Sequence, residues 1–144
     1  MTSWHQETVD EIVEKLGKKF GRIEHPFNLP GQTRESALYQ PDIVVYDLNE
    51  VKYIIEVQTS NVRKSIAGAT ILAEVCVAIM KQRAKPSLFF VVKDSSVEHE
   101  LEKLERRIQL IRSSLKQSSL EKAELHRKDC LLYTSPSPRD RTRS

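Results

Sequence analysis

Two short runs of β-branched residues, joined by a tight turn, restrict the folds open to this chain more than any other feature. Residues 42–47 and 51–57 are rich in Ile, Val and Tyr, and Leu48-Asn49-Glu50 between them has the length of a hairpin turn. The sequence therefore predicts an antiparallel β-hairpin. Its register places the start of the first strand opposite the end of the second.

The segments around the hairpin predict helices and two further strands. Residues 4–20 and 62–83 carry apolar residues at helical spacing, and the broad apolar surface of the second segment predicts a largely buried helix. Residues 22–29 and 87–92 are typical of strands, and the continuous apolar run 87–92 predicts a central strand covered on both faces. The order helix, three strands, helix, strand predicts one α/β domain over residues 1–95, with a polar loop before Pro41.

The next segment predicts an additional helix with a narrow apolar seam. Six apolar residues over 96–116 alternate by four and three, namely Val97, Leu101, Leu104, Ile108, Ile111 and Leu115. The seam is explained either by packing on its own domain or by contact with a second helix, including one across a homodimer. We assign residues 96–129 to a C-terminal helical extension.

The final residues differ in character from the rest of the chain. Residues 130–144 resemble a translated sequencing adaptor, which predicts a disordered tail foreign to the natural protein and a natural C-terminus that is missing. The alternative is a natural disordered tail rich in Ser, Pro and Arg. Without the tail the net charge is +1 instead of +3, so overall charge gives no argument for nucleic acid.

Composition limits the remaining classes of protein. The longest uncharged apolar run, 66–73, is far shorter than the roughly 20 residues of a membrane span, and the first residues do not form a secretory signal. A cytoplasmic protein with no membrane partner is therefore expected. The cysteines, Cys76 and Cys130, predict neither a disulfide framework nor a metal knuckle.

The hairpin register brings two acidic residues together. Asp42 begins the first strand and Glu56 ends the second, so they are expected as cross-strand neighbours, with Gln58 on the same face as Glu56. Two carboxylates in one place repel each other and favour a cation between them. Carboxylate oxygens suit Mg²⁺, with Mn²⁺ as the alternative ion.

Pro41-Asp42, thirteen further residues and then Glu56-Val57-Gln58 resemble the signature of the PD-(D/E)XK nuclease superfamily, which has a restriction-endonuclease-like fold. The order of elements over about residues 4–93 is similar to that family's core. The resemblance implies that Asp42, Glu56 and the carbonyl of Val57 bind magnesium and that position 58 orients the attacking water. The implied reaction is phosphodiester hydrolysis, with DNA as the expected substrate.

The chain departs from the family pattern at its third position, where Gln58 stands in place of the usual lysine. Glutamine can orient water but supplies no positive charge. Lys64, or less favourably Lys52, would provide that charge. His5 is the candidate from the first helix, and Glu7 replaces it if the helix is rotated. Arg34, Arg63 and Lys64 are the candidate phosphate contacts.

Three interpretations remain open at the level of sequence. The first is a Mg²⁺-dependent endonuclease. The second is a nuclease fold that has lost catalysis and binds nucleic acid or assembles with a partner. The third is an unrelated α/β domain with a charged hairpin rim, which predicts that Asp42 and Glu56 lie far apart.

Overall fold

A computed structural model describes residues 3–24, 39–59 and 63–134. Within those residues the chain forms α1 (Trp4–Gly17), β1 (Arg22–Glu24), β2 (Ile43–Asp47), β3 (Glu50–Val57), α2 (Arg63–Met80), β4 (Ser87–Val92), α3 (Glu98–Ser113), β5 (Lys122–Arg127) and α4 (Lys128–Thr134). The predicted mixed α/β class is confirmed. Most of the predicted loop before Pro41, and the predicted strand beyond Glu24, lie outside the described residues.

The described strands form one mixed sheet in the order β1-β2-β3-β4-β5. The first three strands are antiparallel neighbours, whereas β4 pairs parallel to β3 and β5 pairs parallel to β4. The predicted hairpin is confirmed, with Ile43 opposite Ile55. Leu48 and Asn49 have φ values of 52° and 68°, the left-handed conformation that a two-residue turn between twisted strands requires.

Strand β4 is an interior strand between β3 and β5, covered on both faces as its uniform apolar sequence predicts, although β3 is the central strand of the sheet. All six of its residues are buried, because helices cover both faces. One apolar layer joins α1 and α4 to the sheet through Val9, Ile12, Leu16, Ile43, Val45, Ile55, Val57, Phe89, Val91 and Leu131. The other layer joins α2 and α3 to it through residues that include Val44, Ile54, Ile66, Ala73, Val77, Leu88, Phe90, Leu104 and Ile108.

The C-terminal part of the chain is where the sequence prediction is wrong. The helix ends at Ser113, and residues 122–127 form β5, so the assignment of 96–129 to a helical extension fails beyond Ser113. The sequence of β5 is polar, and Ala123 is the one residue of this strand that is fully buried. Pairing with β4 satisfies the backbone groups along one edge of β5 and compensates for the weak apolar pattern.

The predicted disorder from residue 130 is also wrong for residues 130–134. They belong to α4, and Leu131 is buried in the layer shared with α1. Residues 135–144 lie outside the described residues. The adaptor origin of the tail stays a prediction, because a short helix at this point does not test it.

Helix α2 is less buried than predicted, whereas the seam of α3 agrees with one of its two predicted explanations. Helix α2 is buried along one face only, and Ile71, Leu72, Val75 and Ile79 on its other face are 40–51% exposed. In α3 the central seam residues Leu104 and Ile108 are buried in the chain's own core, which favours the first of the two explanations offered for that seam. In the part of the chain that the structure describes, no helix is long and apolar enough to cross a membrane.

Candidate functional site

The carboxylates of Asp42 and Glu56 meet where β2 begins and β3 ends. The backbone N–H of Asp42 donates to Oε1 of Glu56 at 3.1 Å, and the backbone N–H of Val57 donates to Oδ2 of Asp42 at 2.8 Å. Each carboxylate therefore accepts a hydrogen bond from the backbone of the segment that carries the other carboxylate. The predicted juxtaposition is confirmed, which contradicts the third interpretation of the sequence.

A buried tyrosine completes the surroundings of Glu56. Tyr39, three residues before Asp42, donates its hydroxyl to Oε2 of Glu56 at 2.8 Å and is only 5% exposed. Burial, and next the charge of Glu56, raise the pKa of Tyr39 well above its ordinary value. Tyr39 is not among the site residues that the sequence predicts. Its position just before the Pro41-Asp42 motif was the available signal.

Glu56 holds its proton unusually strongly. Burial and the neighbouring charge of Asp42 raise the pKa of Glu56 to about 8, and a hydrogen bond between the two carboxyl groups acts in the same direction. The bonds from Tyr39 and from the N–H of Asp42 lower this pKa, but they do not outweigh burial. At neutral pH these effects favour the protonated form of Glu56 in the absence of a cation.

His5 reaches the same place from α1. Ser3 caps this helix by accepting the N–H of Gln6, which fixes His5 in the first turn. Nε2 of His5 lies 3.2 Å from Oδ1 of Asp42, and both side chains are partly accessible to solvent. Of the two first-helix candidates, His5 thus contacts Asp42, whereas Glu7 is exposed.

Gln58 and Val57 lie at the carboxyl end of β3. The N–H of Gln58 donates to the carbonyl of Val91 at 2.8 Å and continues the parallel ladder one residue beyond the strand. Strand alternation then places the half-buried Gln58 on the same face as Glu56. Val57 is buried, and its N–H bond to Asp42 sets it directly beside the carboxylates.

The predicted cations are not brought into contact with the acids. Arg63 and Lys64 are exposed in the first turn of α2, and within the described residues no ion pair joins Lys64 to either carboxylate. Lys52 lies near the opposite end of the hairpin, 3.9 Å from Asp47. Arg34 lies outside the described residues.

Two other lysines gather near the start of α1, a feature that the sequence pattern missed. Lys93 follows β4, and Lys128 begins α4. Their ammonium groups lie 5.5 and 5.9 Å from the ring centre of Trp4, the residue before His5. Lys128 is also paired with Glu11 at 3.1 Å. This group could not be predicted from the sequence, because its residues come from three separate elements.

The carboxylate oxygens of Asp42 and Glu56 suit a magnesium ion that retains part of its water shell. Among residues 3–24, 39–59 and 63–134, no group of three or more His, Cys, Asp or Glu side chains is arranged to hold a metal. Magnesium sites that act on phosphates need only one or two carboxylates, since waters and the substrate supply the other ligands. Each carboxylate oxygen has two lone pairs, so the observed partners leave acceptor capacity for a cation.

Comparison with known proteins adds no family assignment. No protein-family model matches the sequence, and no curated protein shows significant sequence similarity to it.

Proposed function

We propose that this chain is a metal-dependent endonuclease of the PD-(D/E)XK type that hydrolyses phosphodiester bonds, with DNA as the expected substrate. The observation that carries the proposal is the pairing of Asp42 and Glu56 on neighbouring strands, where each carboxylate accepts a backbone N–H of the other's strand. The order α1-β1-β2-β3-α2-β4 supports the restriction-endonuclease-like assignment, since it is the order that the resemblance implies.

The proposed metal ligands are Asp42, Glu56 and the carbonyl of Val57. When bound, Mg²⁺ or Mn²⁺ would polarise the scissile phosphate and lower the pKa of a coordinated water. Tyr39 and the N–H of Asp42 orient the Glu56 carboxylate, and the N–H of Val57 orients that of Asp42. These bonds fix both groups before substrate arrives, which reduces the reorganisation that the reaction requires.

Three side chains around the carboxylates have proposed roles toward water and phosphate. Gln58 accepts a hydrogen bond from the attacking water through its amide oxygen and so orients that water. His5, 3.2 Å from Asp42, contacts a phosphate oxygen or the metal from the side of α1. Lys93, which no described residue holds in an ion pair, supplies the positive charge that Gln58 lacks.

The test is incubation of supercoiled plasmid with the purified chain and MgCl₂, followed by separation of the nicked and linear products. The wild-type chain is expected to cut, and Asp42→Asn to be inactive. Asp47→Asn is the matched control, because Asp47 is exposed at the opposite end of the same strand. Cleavage that survives Asp42→Asn, or that persists in excess EDTA, contradicts the proposal.

A second candidate is supported by a specific observation. All four carboxylate oxygens have partners within the protein, and Gln58 replaces the lysine of the family motif. A carboxylate pair whose role is only to hold the two strands together would have these features. The chain would then bind nucleic acid or assemble with a partner without cutting. Mn²⁺ binding that depends on Asp42 distinguishes the nuclease from this noncatalytic alternative, since a purely structural carboxylate pair needs no metal.

A further inference from the structure

The outward face of α2 is apolar and lacks a covering element among the described residues. Ile71, Leu72, Val75 and Ile79 are 50%, 40%, 46% and 51% exposed. Together with Gly68 and Ala78 they lie within about 120° of helical arc, opposite the residues that pack on the sheet. We call these six residues the α2 face. A continuous exposed apolar strip of this kind on a helix is typical of a protein contact.

Charge is absent from this face. Between Ser65 and Met80 the one charged residue is Glu74, which is 5% exposed and turned inward to accept bonds from Ser118 and Ser119. Depletion of charge is the compositional mark of an interface core. An ordinary solvated helix face carries Lys and Glu instead, as the exposed side of α3 does.

Gly68 independently indicates that another helix packs closely against α2. Glycine inside a helix is less stable than almost any alternative, so a packing reason is expected for it. A Cβ added to Gly68 would meet nothing within 4 Å, and the chain's own packing therefore does not require the glycine. Close approach of another backbone would require it, because a small residue lets two helices pack at short distance.

From these observations we propose that the α2 face binds a second copy of this chain, as a two-fold helix-on-helix contact. A two-fold axis sets the same strip against itself, so a face without charge meets no like-charge repulsion. Positions 68, 72, 75 and 79 follow the four-three-four spacing of interdigitating helices. This contact uses α2, not the seam of α3, whose central residues are already buried.

The size of the α2 face predicts a weak dimer. On the α2 face, four large side chains per copy are 40–51% exposed, so this strip supplies fewer residues than the roughly 20–30 a side of a standard interface. The dissociation constant is therefore expected in the range of about 1–100 µM, with dimers present at high protein concentration only.

Sedimentation equilibrium of the whole chain between low micromolar and several hundred micromolar tests the proposal. The wild-type chain is expected to show a monomer–dimer equilibrium. Val75→Glu is expected to remain monomeric, because it places two carboxylates at the centre of the contact. Val97→Glu is the matched control, since Val97 is 61% exposed outside α2 and its variant should dimerise like the wild type.

A second variant separates folding from association. Gly68→Gln is expected to raise the thermal midpoint of dilute protein, because glutamine favours the helix, and to weaken the dimer at least tenfold. A wild-type chain that stays monomeric throughout overturns the proposal, and the α2 face then fits a different apolar partner. A dimer unaffected by Val75→Glu, or one weakened equally by Val97→Glu, overturns it as well.

Discussion

Replacement of Glu56 by glutamine should increase the stability of the folded chain relative to wild type as the pH rises, because the wild type loses stability over that range. Burial and the charge of Asp42 raise the pKa of Glu56 from 4.5 to about 8, so the folded state binds a proton that the unfolded state has released. Between these values the stability of the wild type falls with pH, by about 1.4 kcal/mol per pH unit. The stabilisation is complete below about pH 4.5 and is lost as the pH passes 8.

Glutamine removes this pH dependence and preserves most of the geometry. Its amide oxygen can accept the N–H of Asp42, and its amide nitrogen can donate to Tyr39 or Asp42. From pH 5 to pH 8 the stability of Glu56→Gln relative to wild type should therefore increase by about 3–4 kcal/mol. Urea denaturation at half-unit pH intervals, without metal, measures this difference directly.

Glu50→Gln is the control for that series. Bonds from the N–H groups of Arg83 and Ala84 lower the pKa of Glu50, so its contribution is lost only in acid, below the window of interest. Its stability relative to wild type should thus stay level between pH 5 and pH 8. A level difference for Glu56→Gln over the same range would refute the argument that the carboxylate pair retains a proton.

Three further variants test other parts of the structure. Tyr39→Phe removes a bond that lowers the pKa of Glu56, so the pH at which metal binding reaches half its maximum should rise; a fall would contradict the assigned role. Gln58→Lys restores the charge of the family motif and should increase the initial rate of plasmid cleavage roughly tenfold or more, whereas an unchanged rate would show that the charge is not limiting. Glu74→Ala leaves Ser118, Ser119 and Arg112 without their buried acceptor and should cost about 3 kcal/mol in urea denaturation, with a cost below about 1 kcal/mol arguing against that network.

The sequence was sufficient for the elements whose apolar pattern is strong. The bounds of β4 were predicted correctly, because every side chain from Ser87 to Val92 is buried and the run has no polar interruption. The hairpin was predictable for a related reason, because two runs rich in β-branched residues flank a short turn. The predicted hairpin register was also enough to predict that Asp42 and Glu56 are cross-strand neighbours.

The elements that failed depend on tertiary partners. Strand β5 has one fully buried residue, and the backbone of β4 selects its conformation. The sequence of helix α2 predicts a largely buried helix, but the sheet covers only one face and no element among the described residues covers the other. Tyr39 and Lys93 were missed for a similar reason, since their contacts join segments that are distant in sequence.

Calorimetric titration of the chain with Mn²⁺ at pH 7, in two buffers of different ionisation enthalpy, tests most directly whether Asp42 and Glu56 form a cation site. A pKa of about 8 for Glu56 predicts that binding releases about one proton at pH 7 and almost none at pH 9. Affinity should rise with pH up to about 8 and disappear in Asp42→Asn. Failure of the wild-type chain to bind Mn²⁺, or binding that releases no proton at pH 7, would contradict the proposed site.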